Sequence, residues 1–144
     1  MTVTAIAEVL GGKKILKKNI GTPAQLVTLI REGLPANILP TIATELSMDR
    51  SAVAKVVGIS GRTLSRRIAS HSRLTADESD RMVRLARVLA LANETLGDRA
   101  KASRWLQTPN RVLDGNTPFE LLDTDAGVQS VETVLGRIAY GVYS

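Results

Sequence analysis

The stretch from Arg50 to Arg73 constrains the fold of this chain more than any other segment. It carries six of the 19 basic residues and no acidic residue. A 20-residue frame that begins at Arg50 reads RSAVAKVVGISGRTLSRRIA. Ala54 takes the fifth position, where two helices cross and a larger side chain would clash. Gly58 takes the ninth, where the turn needs a residue that tolerates positive φ. The spacing therefore predicts a helix-turn-helix.

The other positions of this frame separate into an apolar face and a polar face. The apolar face comprises Val53, Val57, Ile59, Leu64 and Ile68. Ser60 is placed to N-cap the second helix, and the early turns of that helix enter the major groove of duplex DNA in motifs of this kind. The candidate DNA-binding residues are therefore Ser60, Gly61, Arg62, Thr63, Ser65, Arg66 and Arg67.

These candidates divide by the chemistry of their side chains. Arg62 and Arg66 are one turn apart, and arginine pairs bidentately with O6 and N7 of guanine, so we assign them to base readout. Phosphate contacts are assigned to Thr63, Ser65 and Arg67. Arg67 takes the eighteenth frame position, which is usually apolar, and we therefore expect the second helix to be slightly rotated.

The net charge of +5 is unevenly distributed along the chain. Residues 1–49 hold five basic and four acidic groups, residues 50–73 hold six basic and none acidic, and residues 74–144 hold eight basic and ten acidic. The basic excess thus coincides with the proposed DNA-binding segment, as expected for an electrostatic footprint. The alternative reading of such a segment is a solvated basic face without a partner.

Residues typical of helix starts and helix ends recur along the rest of the chain, whereas the alternation of apolar and polar residues that is typical of strands is absent. Capping-box sequences begin at Thr22, Thr75 and Thr117. The pattern predicts an all-α protein in which residues 1–73 form a helix-turn-helix bundle and residues 74–144 a small helical domain. The long helix predicted over residues 75–96 is either a dimer surface or the internal spine of the fold.

Several classes of function are disfavoured by composition. The chain has no cysteine, so disulfides and thiolate metal sites are ruled out. The longest apolar run, Val88–Ala92, is too short to span a bilayer, and no leader pattern is seen at the N-terminus. His71 is the single histidine and has no carboxylate at helical spacing. We therefore expect a cytoplasmic protein with no membrane contact, no cofactor and no catalytic activity.

The chain resembles the Xre/MbcA/ParS family of antitoxins in a series of motifs that occur in the same order. In the C-terminal half these are Leu74–Arg87 (LTADESDRMVRLAR), Ala102–Asn110 (ASRWLQTPN), Gly115–Leu122 (GNTPFELL), Asp125–Gly127 (DAG), Val131–Glu132 and Leu135–Tyr143 (LGRIAYGVY). Upstream, residues 33–35 (GLP) and 58–67 (GISGRTLSRR) are also similar to the family. The resemblance covers nearly the whole chain and is weakest over the first 20 residues.

The resemblance implies a type II antitoxin that binds the promoter of its own operon as a homodimer and binds a RES-domain toxin, which depletes cellular NAD. It also implies that the C-terminal segment blocks the entrance to the active site of the toxin. Carried onto this chain, the toxin-binding residues are Gly136, Arg137, Ile138, Tyr140, Gly141, Val142, Tyr143 and Ser144. Tyr140 and Tyr143 lie near the end of the sequence, and they either pack on their own domain or remain exposed to bind a partner. Some relatives are stand-alone regulators, so the alternative function is a dimeric helix-turn-helix regulator of double-stranded operator DNA without a toxin.

Overall fold

The computed structural model describes residues 2–141, and all regular elements in that range are helical, apart from one isolated antiparallel bridge between Pro35 and Arg73. The α-helices are α1 (Val3–Val9), α2 (Gly12–Leu16), α3 (Pro23–Glu32), α4 (Ile38–Leu46), α5 (Arg50–Val57), α6 (Gly61–Ala69), α7 (Ala76–Leu96), α8 (Arg99–Leu106) and α9 (Asp125–Ala139). Two 3-10 helices, η1 (Arg111–Leu113) and η2 (Phe119–Asp123), lie between α8 and α9. The all-α prediction is confirmed.

The helix starts follow from the caps that the sequence predicted. Thr22 and Thr75 each form a complete capping box, with Gln25 and Glu78 as the reciprocal partners. The box at Thr117 is also made, since its N–H donates to Glu120 Oε1 at 2.7 Å. It opens the 3-10 helix η2 rather than an α-helix, because Thr124 already caps α9 a few residues later.

Helix α7 is the internal spine of the chain. Its buried side chains are Ser79, Met82, Val83, Leu85, Ala86, Val88, Leu89, Ala90 and Ala92, which surround most of the helix axis. It packs against α1 and α3 from the N-terminal half of the chain and against α8 and α9 from the C-terminal half. Of the two roles predicted for this helix, the structure therefore favours the spine, since little apolar surface is left for a second copy.

The first 20 residues form two short helices that the sequence pattern did not reveal. Ile6, Val9 and Leu10 are buried, and α1 packs on α7. Gly11, with φ +101°, separates the two helices. Helices of seven and five residues are too short to show a clear period, and their stability comes from packing.

One apolar cluster joins both halves of the chain, from Ile6 to Leu135. Leu29 and Leu34 belong to it together with Met82 of α7 and Leu106 of α8. The predicted division between residues 73 and 74 therefore falls inside a continuous core. None of the described helices combines the length and the apolar character needed to cross a bilayer.

Candidate functional site

The turn between α5 and α6 has the geometry that the frame predicted. Gly58 adopts φ +83°, and the N–H groups of Gly58 and Ile59 donate to Ala54 O at 2.8 and 2.9 Å. A Cβ atom on Gly58 would approach Arg81 Nη1 to 3.0 Å, and that nitrogen itself donates to Val57 O at 3.1 Å. The turn is therefore closed by its own backbone and supported from α7.

Ser60 fixes the start of α6, as predicted. Its Oγ accepts a hydrogen bond from the Thr63 N–H at 3.1 Å and donates to Thr63 Oγ1 at 2.9 Å. Both side chains therefore stabilise the helix start in the free protein. The Thr63 hydroxyl keeps its own proton for an external acceptor.

The outward face of α6 is polar and basic. Arg62, Ser65 and Arg66 are exposed, and no atom lies within 4 Å of the position that a Cβ on Gly61 would take. Over residues 2–141 the structure shows no intramolecular hydrogen bond or ion pair for the guanidinium groups of Arg62 and Arg66. The two groups therefore remain available to an external acceptor without first breaking a contact.

Arg67 differs from its neighbours because its guanidinium group pairs with Glu78 at the first turn of α7. The side chains are 19% and 13% exposed. Burial acts to raise the pKa of Glu78, but hydrogen bonds from the Thr75 amide and from Arg67 outweigh it, so the pKa of this carboxyl lies below its usual range. Arg67 thus braces α6 against α7, and its contact with phosphate stays a prediction.

The segment leaving α6 is held by a second set of bonds. The Leu74 N–H donates to Leu34 O at 2.7 Å, and Arg73 Nη1 donates to Gly33 O at 2.7 Å. The buried hydroxyl of Ser79 accepts from the Leu34 N–H at 2.9 Å. A Cβ on Gly33 would lie 2.3 Å from Leu74 O. Helix α6 is therefore fixed at both of its ends.

The predicted toxin-binding residues lie at the end of α9. Gly136, Arg137 and Ile138 form its last turn; Ile138 is half-buried and Arg137 exposed. Tyr140, at the C-cap, is 87% exposed. Gly141 follows with φ +71°. Val142, Tyr143 and Ser144 lie outside the described residues. Of the two alternatives for Tyr140, packing on its own domain is not what the structure shows.

The body of α9 is firmly attached, in contrast to its exposed end. Arg87 forms a two-point ion pair with Glu132, with Nε–Oε2 and Nη2–Oε1 distances of 2.8 and 3.2 Å. Gly127 touches the chain at Leu121 so closely that a Cβ there would lie 1.7 Å from the carbonyl oxygen. The exposed residues therefore extend from a rigid support.

Sequence reasoning missed two features of these surfaces. The Arg67–Glu78 ion pair connects two helices that are separated by a loop in the sequence, and no local pattern of residues predicts it. Trp105 packs against the core but is only half-buried. It borders a groove with Val112, which is 46% exposed. In the described part of the chain, no three acidic or histidine side chains converge as metal ligands.

Comparison with known proteins identifies the domains that contain α6 and α9. Residues 25–87 match the family model described as antitoxin Xre-like helix-turn-helix domain, and residues 91–141 match the antitoxin Xre/MbcA/ParS C-terminal toxin-binding domain. The chain is 34% identical to antitoxin Xre of Photorhabdus laumondii over 134 residues, which is 90% of each chain. It is 33% identical to antitoxin Xre of Yersinia enterocolitica over 136 residues, covering 91% of this chain and 92% of that relative.

Among solved structures, the chain is similar to one from the Mycobacterium tuberculosis MbcT–MbcA toxin–antitoxin complex. The match has a TM-score of 0.56 and 27% identity, and it covers 76% of this chain and 96% of that chain. The fold and the two surfaces thus define a helix-turn-helix antitoxin of a toxin–antitoxin system. The chain belongs to the Xre/MbcA/ParS antitoxin family.

Proposed function

We propose that this chain is a type II antitoxin that neutralises a RES-domain toxin by placing its C-terminal segment in the active site, and that it represses its own operon through α6. The observation that carries the proposal is the exposed Tyr140 at the end of a firmly attached helix. We also propose that the protein acts in the cytoplasm and performs no catalysis of its own.

The chemistry of the chain end suits a nucleotide pocket. A site for NAD accepts phosphates and aromatic rings, and the segment Gly136-Arg137-Ile138 with Tyr140–Ser144 offers an arginine and two tyrosines. An arginine pairs with anionic or polar groups at the entrance, while a tyrosine supplies a large, stiff apolar surface. A short segment of this kind competes with the substrate without undergoing chemistry.

The DNA-binding part of the proposal rests on the outward face of α6. Arg62 and Arg66 are exposed one turn apart, and Ser65 is exposed beside them. We propose that the two arginines contact base edges and that Thr63, Ser65 and Arg67 contact phosphates, with Ser60 and Gly61 near the DNA at the start of the helix. A homodimer follows as part of this proposal, because two motifs related by two-fold symmetry match the two half-sites of an operator.

The test is co-expression of this chain with the product of the adjacent toxin gene, with growth and cellular NAD as readouts. We expect the toxin alone to arrest growth and lower NAD, and the intact chain to prevent both. A chain truncated after Ala139 is expected to fold but to give no protection. Unchanged protection by the truncated chain would contradict blocking by the C-terminal segment.

The matched control keeps the C-terminus and changes the DNA surface instead. The double variant Arg62→Ala/Arg66→Ala is expected to protect against the toxin fully while losing repression of a reporter driven by the operon promoter. If the neighbouring product is harmless, or if the intact chain gives no protection, the stand-alone regulator becomes the better account of the chain.

A further inference from the structure

A preformed apolar groove lies beside the exposed end of α9. It occupies about 460 Å³ between the end of α8, the loop that contains η1 and the last turns of α9. Its apolar walls are Trp105, Pro109, Val112, Val134 and Ile138, and Asn110 and Arg111 complete it. Ile138 belongs both to this groove and to the proposed toxin-binding segment, so the two surfaces are continuous.

The loop that carries Val112 is rigid although it has little secondary structure. The Asn110 side chain accepts from the Val112 N–H at 2.9 Å, and its backbone N–H donates to Asn116 O at 2.9 Å. Asn116 Nδ2 donates to Leu113 O at 2.9 Å, and the Leu113 side chain is buried. The Val112 side chain therefore stays exposed, because the loop is fixed by hydrogen bonds on both sides of it.

Exposure of Val112 is unusual for this chain. In the described range, the large apolar side chains that are exposed are Val27, Val112 and Tyr140, at 44%, 46% and 87%. Val112 lines the groove and Tyr140 follows the groove residue Ile138 by two positions, whereas Val27 is on α3 in the other half. Apolar side chains grouped on a rigid surface are typical of a contact site.

The charge at the groove defines the kind of partner that fits it. Arg111 lines the groove and is exposed, and over residues 2–141 the structure shows no ion pair for it. An apolar side chain that enters between Trp105 and Val112 would bring a neighbouring carboxylate within reach of this guanidinium group. Such an ion pair at the rim of an interface favours the correct orientation of the two proteins as they bind.

We propose that this groove is a second contact for the toxin, which receives an apolar side chain of the toxin surface flanked by a carboxylate. The inference rests on the proposed function, because it places the contact next to the active-site entrance that the C-terminal segment blocks. All groove residues fall within the matched toxin-binding domain, residues 91–141. A second copy of this chain seated here would cover Ile138 and crowd Tyr140, and would thus compete with the toxin.

The groove supplies what a short chain end lacks. A few terminal residues lose much conformational freedom on binding and bury little surface. A rigid contact beside them makes insertion of the chain end an intramolecular step and raises its effective concentration. Neutralisation then depends on both parts, with the groove providing affinity and the chain end providing the block.

The experiment measures the dissociation constant of the purified antitoxin with the product of the adjacent toxin gene in a catalytically inactive form. Val112→Asp is expected to weaken binding about tenfold or more, as for a central apolar contact. Val27→Asp is the matched control, because the exposure of Val27 is nearly the same, and it should leave the affinity unchanged. Arg111→Glu should weaken binding and make it less sensitive to salt.

Each outcome bears on the inference. Unchanged affinity in both Val112→Asp and Arg111→Glu overturns it, since neither the apolar nor the charged contact is then used. It is equally overturned if Val112→Asp dissociates a dimer in sedimentation while binding to the toxin stays normal, because the groove then joins two copies. If the wild-type protein and both variants bind the toxin equally tightly, the groove contact is excluded but the proposed function stays intact. If the wild-type protein does not bind the toxin, the proposed function and the groove contact are both excluded.

Discussion

Helix α6 and the end of α9 carry the two proposed binding surfaces, and they are built in opposite ways. Helix α6 is fixed at its start by Ser60 and near its end by the Arg67–Glu78 pair, so that Arg62 and Arg66 project from a rigid element. At α9 the body is fixed, while Tyr140 extends beyond the last turn. A regular duplex, the proposed partner of α6, is read by groups held at set positions, whereas an enzyme pocket, the proposed target of the C-terminal segment, accepts a side chain that projects from its support. The contrast suits the shapes of the two proposed partners.

Among the variants that test this comparison, the controls aside, Gly127→Ala is expected to have the largest effect, because it removes the support for one of the two surfaces. The new methyl group would lie 1.7 Å from Leu121 O, and backbone has to move to admit it. We expect the free energy of unfolding to fall by roughly 2–3 kcal/mol, measured by denaturant titration. Gly136→Ala, in the same helix and with nothing within 4 Å, is the control and should raise stability by about 1 kcal/mol. Equal effects of the two changes would contradict the close contact at Gly127.

Arg62→Ala and Arg66→Ala test the rigid surface. Each is expected to weaken binding to a fragment of the operon promoter by about 1–3 kcal/mol, as for loss of a bidentate base contact, measured by fluorescence anisotropy. Lys101→Ala, which removes an exposed charge from α8, should have little effect. If an arginine variant weakens binding equally on operator and unrelated DNA, that residue contacts phosphate instead of a base.

Glu78→Gln tests how firmly α6 is attached. The ion pair with Arg67 is mostly buried, and we expect a loss of about 1 kcal/mol in the free energy of unfolding at pH 7, between the values for exposed and fully buried pairs. Because the pKa of Glu78 is lowered in the folded state, its contribution is complete above the unfolded pKa of about 4.3 and is lost as the pH falls through the lower folded value. The difference between wild type and variant should therefore disappear in acid.

The control for this change is Glu120→Gln. Glu120 makes the same capping bond to Thr117, with an N–O distance of 2.7 Å, but is exposed. Its replacement should cost less than about 0.5 kcal/mol. A pH dependence of equal size in the two variants would mean that the cap, and not Arg67, accounts for the effect at Glu78.

Tyr140→Ala is expected to have the smallest effect on the fold. With a side chain that is 87% exposed, its removal should change the free energy of unfolding by less than about 0.5 kcal/mol, as measured by thermal unfolding. Leu135→Ala, five residues earlier and fully buried, should cost roughly 2–5 kcal/mol. A large loss for Tyr140→Ala would show that this tyrosine packs on its own domain, which would weaken the contrast between the two surfaces.

Much of the helical fold could be predicted because its signals are local. The capping boxes at Thr22 and Thr75 act within one turn, and Gly58 acts through its own φ angle. These effects depend on neighbouring residues alone, so a sequence pattern is enough to recognise them. The first two helices escaped prediction because each is shorter than the stretch over which a helical period can be recognised.

The candidate sites were predicted in outline, and their details depend on residues far apart in the chain. The exposed positions of α6 follow from the helix-turn-helix frame. The partner of Arg67 could not be read in the same way, since Glu78 belongs to another helix and meets it through the path of the intervening loop. The groove at Val112 is formed by three separate segments and has no local pattern at all.

The sequence by itself determined the helices, their caps, the turn at Gly58 and the basic face of α6, because each arises from interactions within a few residues. The tertiary structure decided that α7 is an internal spine, that Gly127 lies against Leu121, and that a groove opens beside Ile138. These features depend on which surfaces meet when distant segments pack, and the free energy of that packing is shared among many side chains at once.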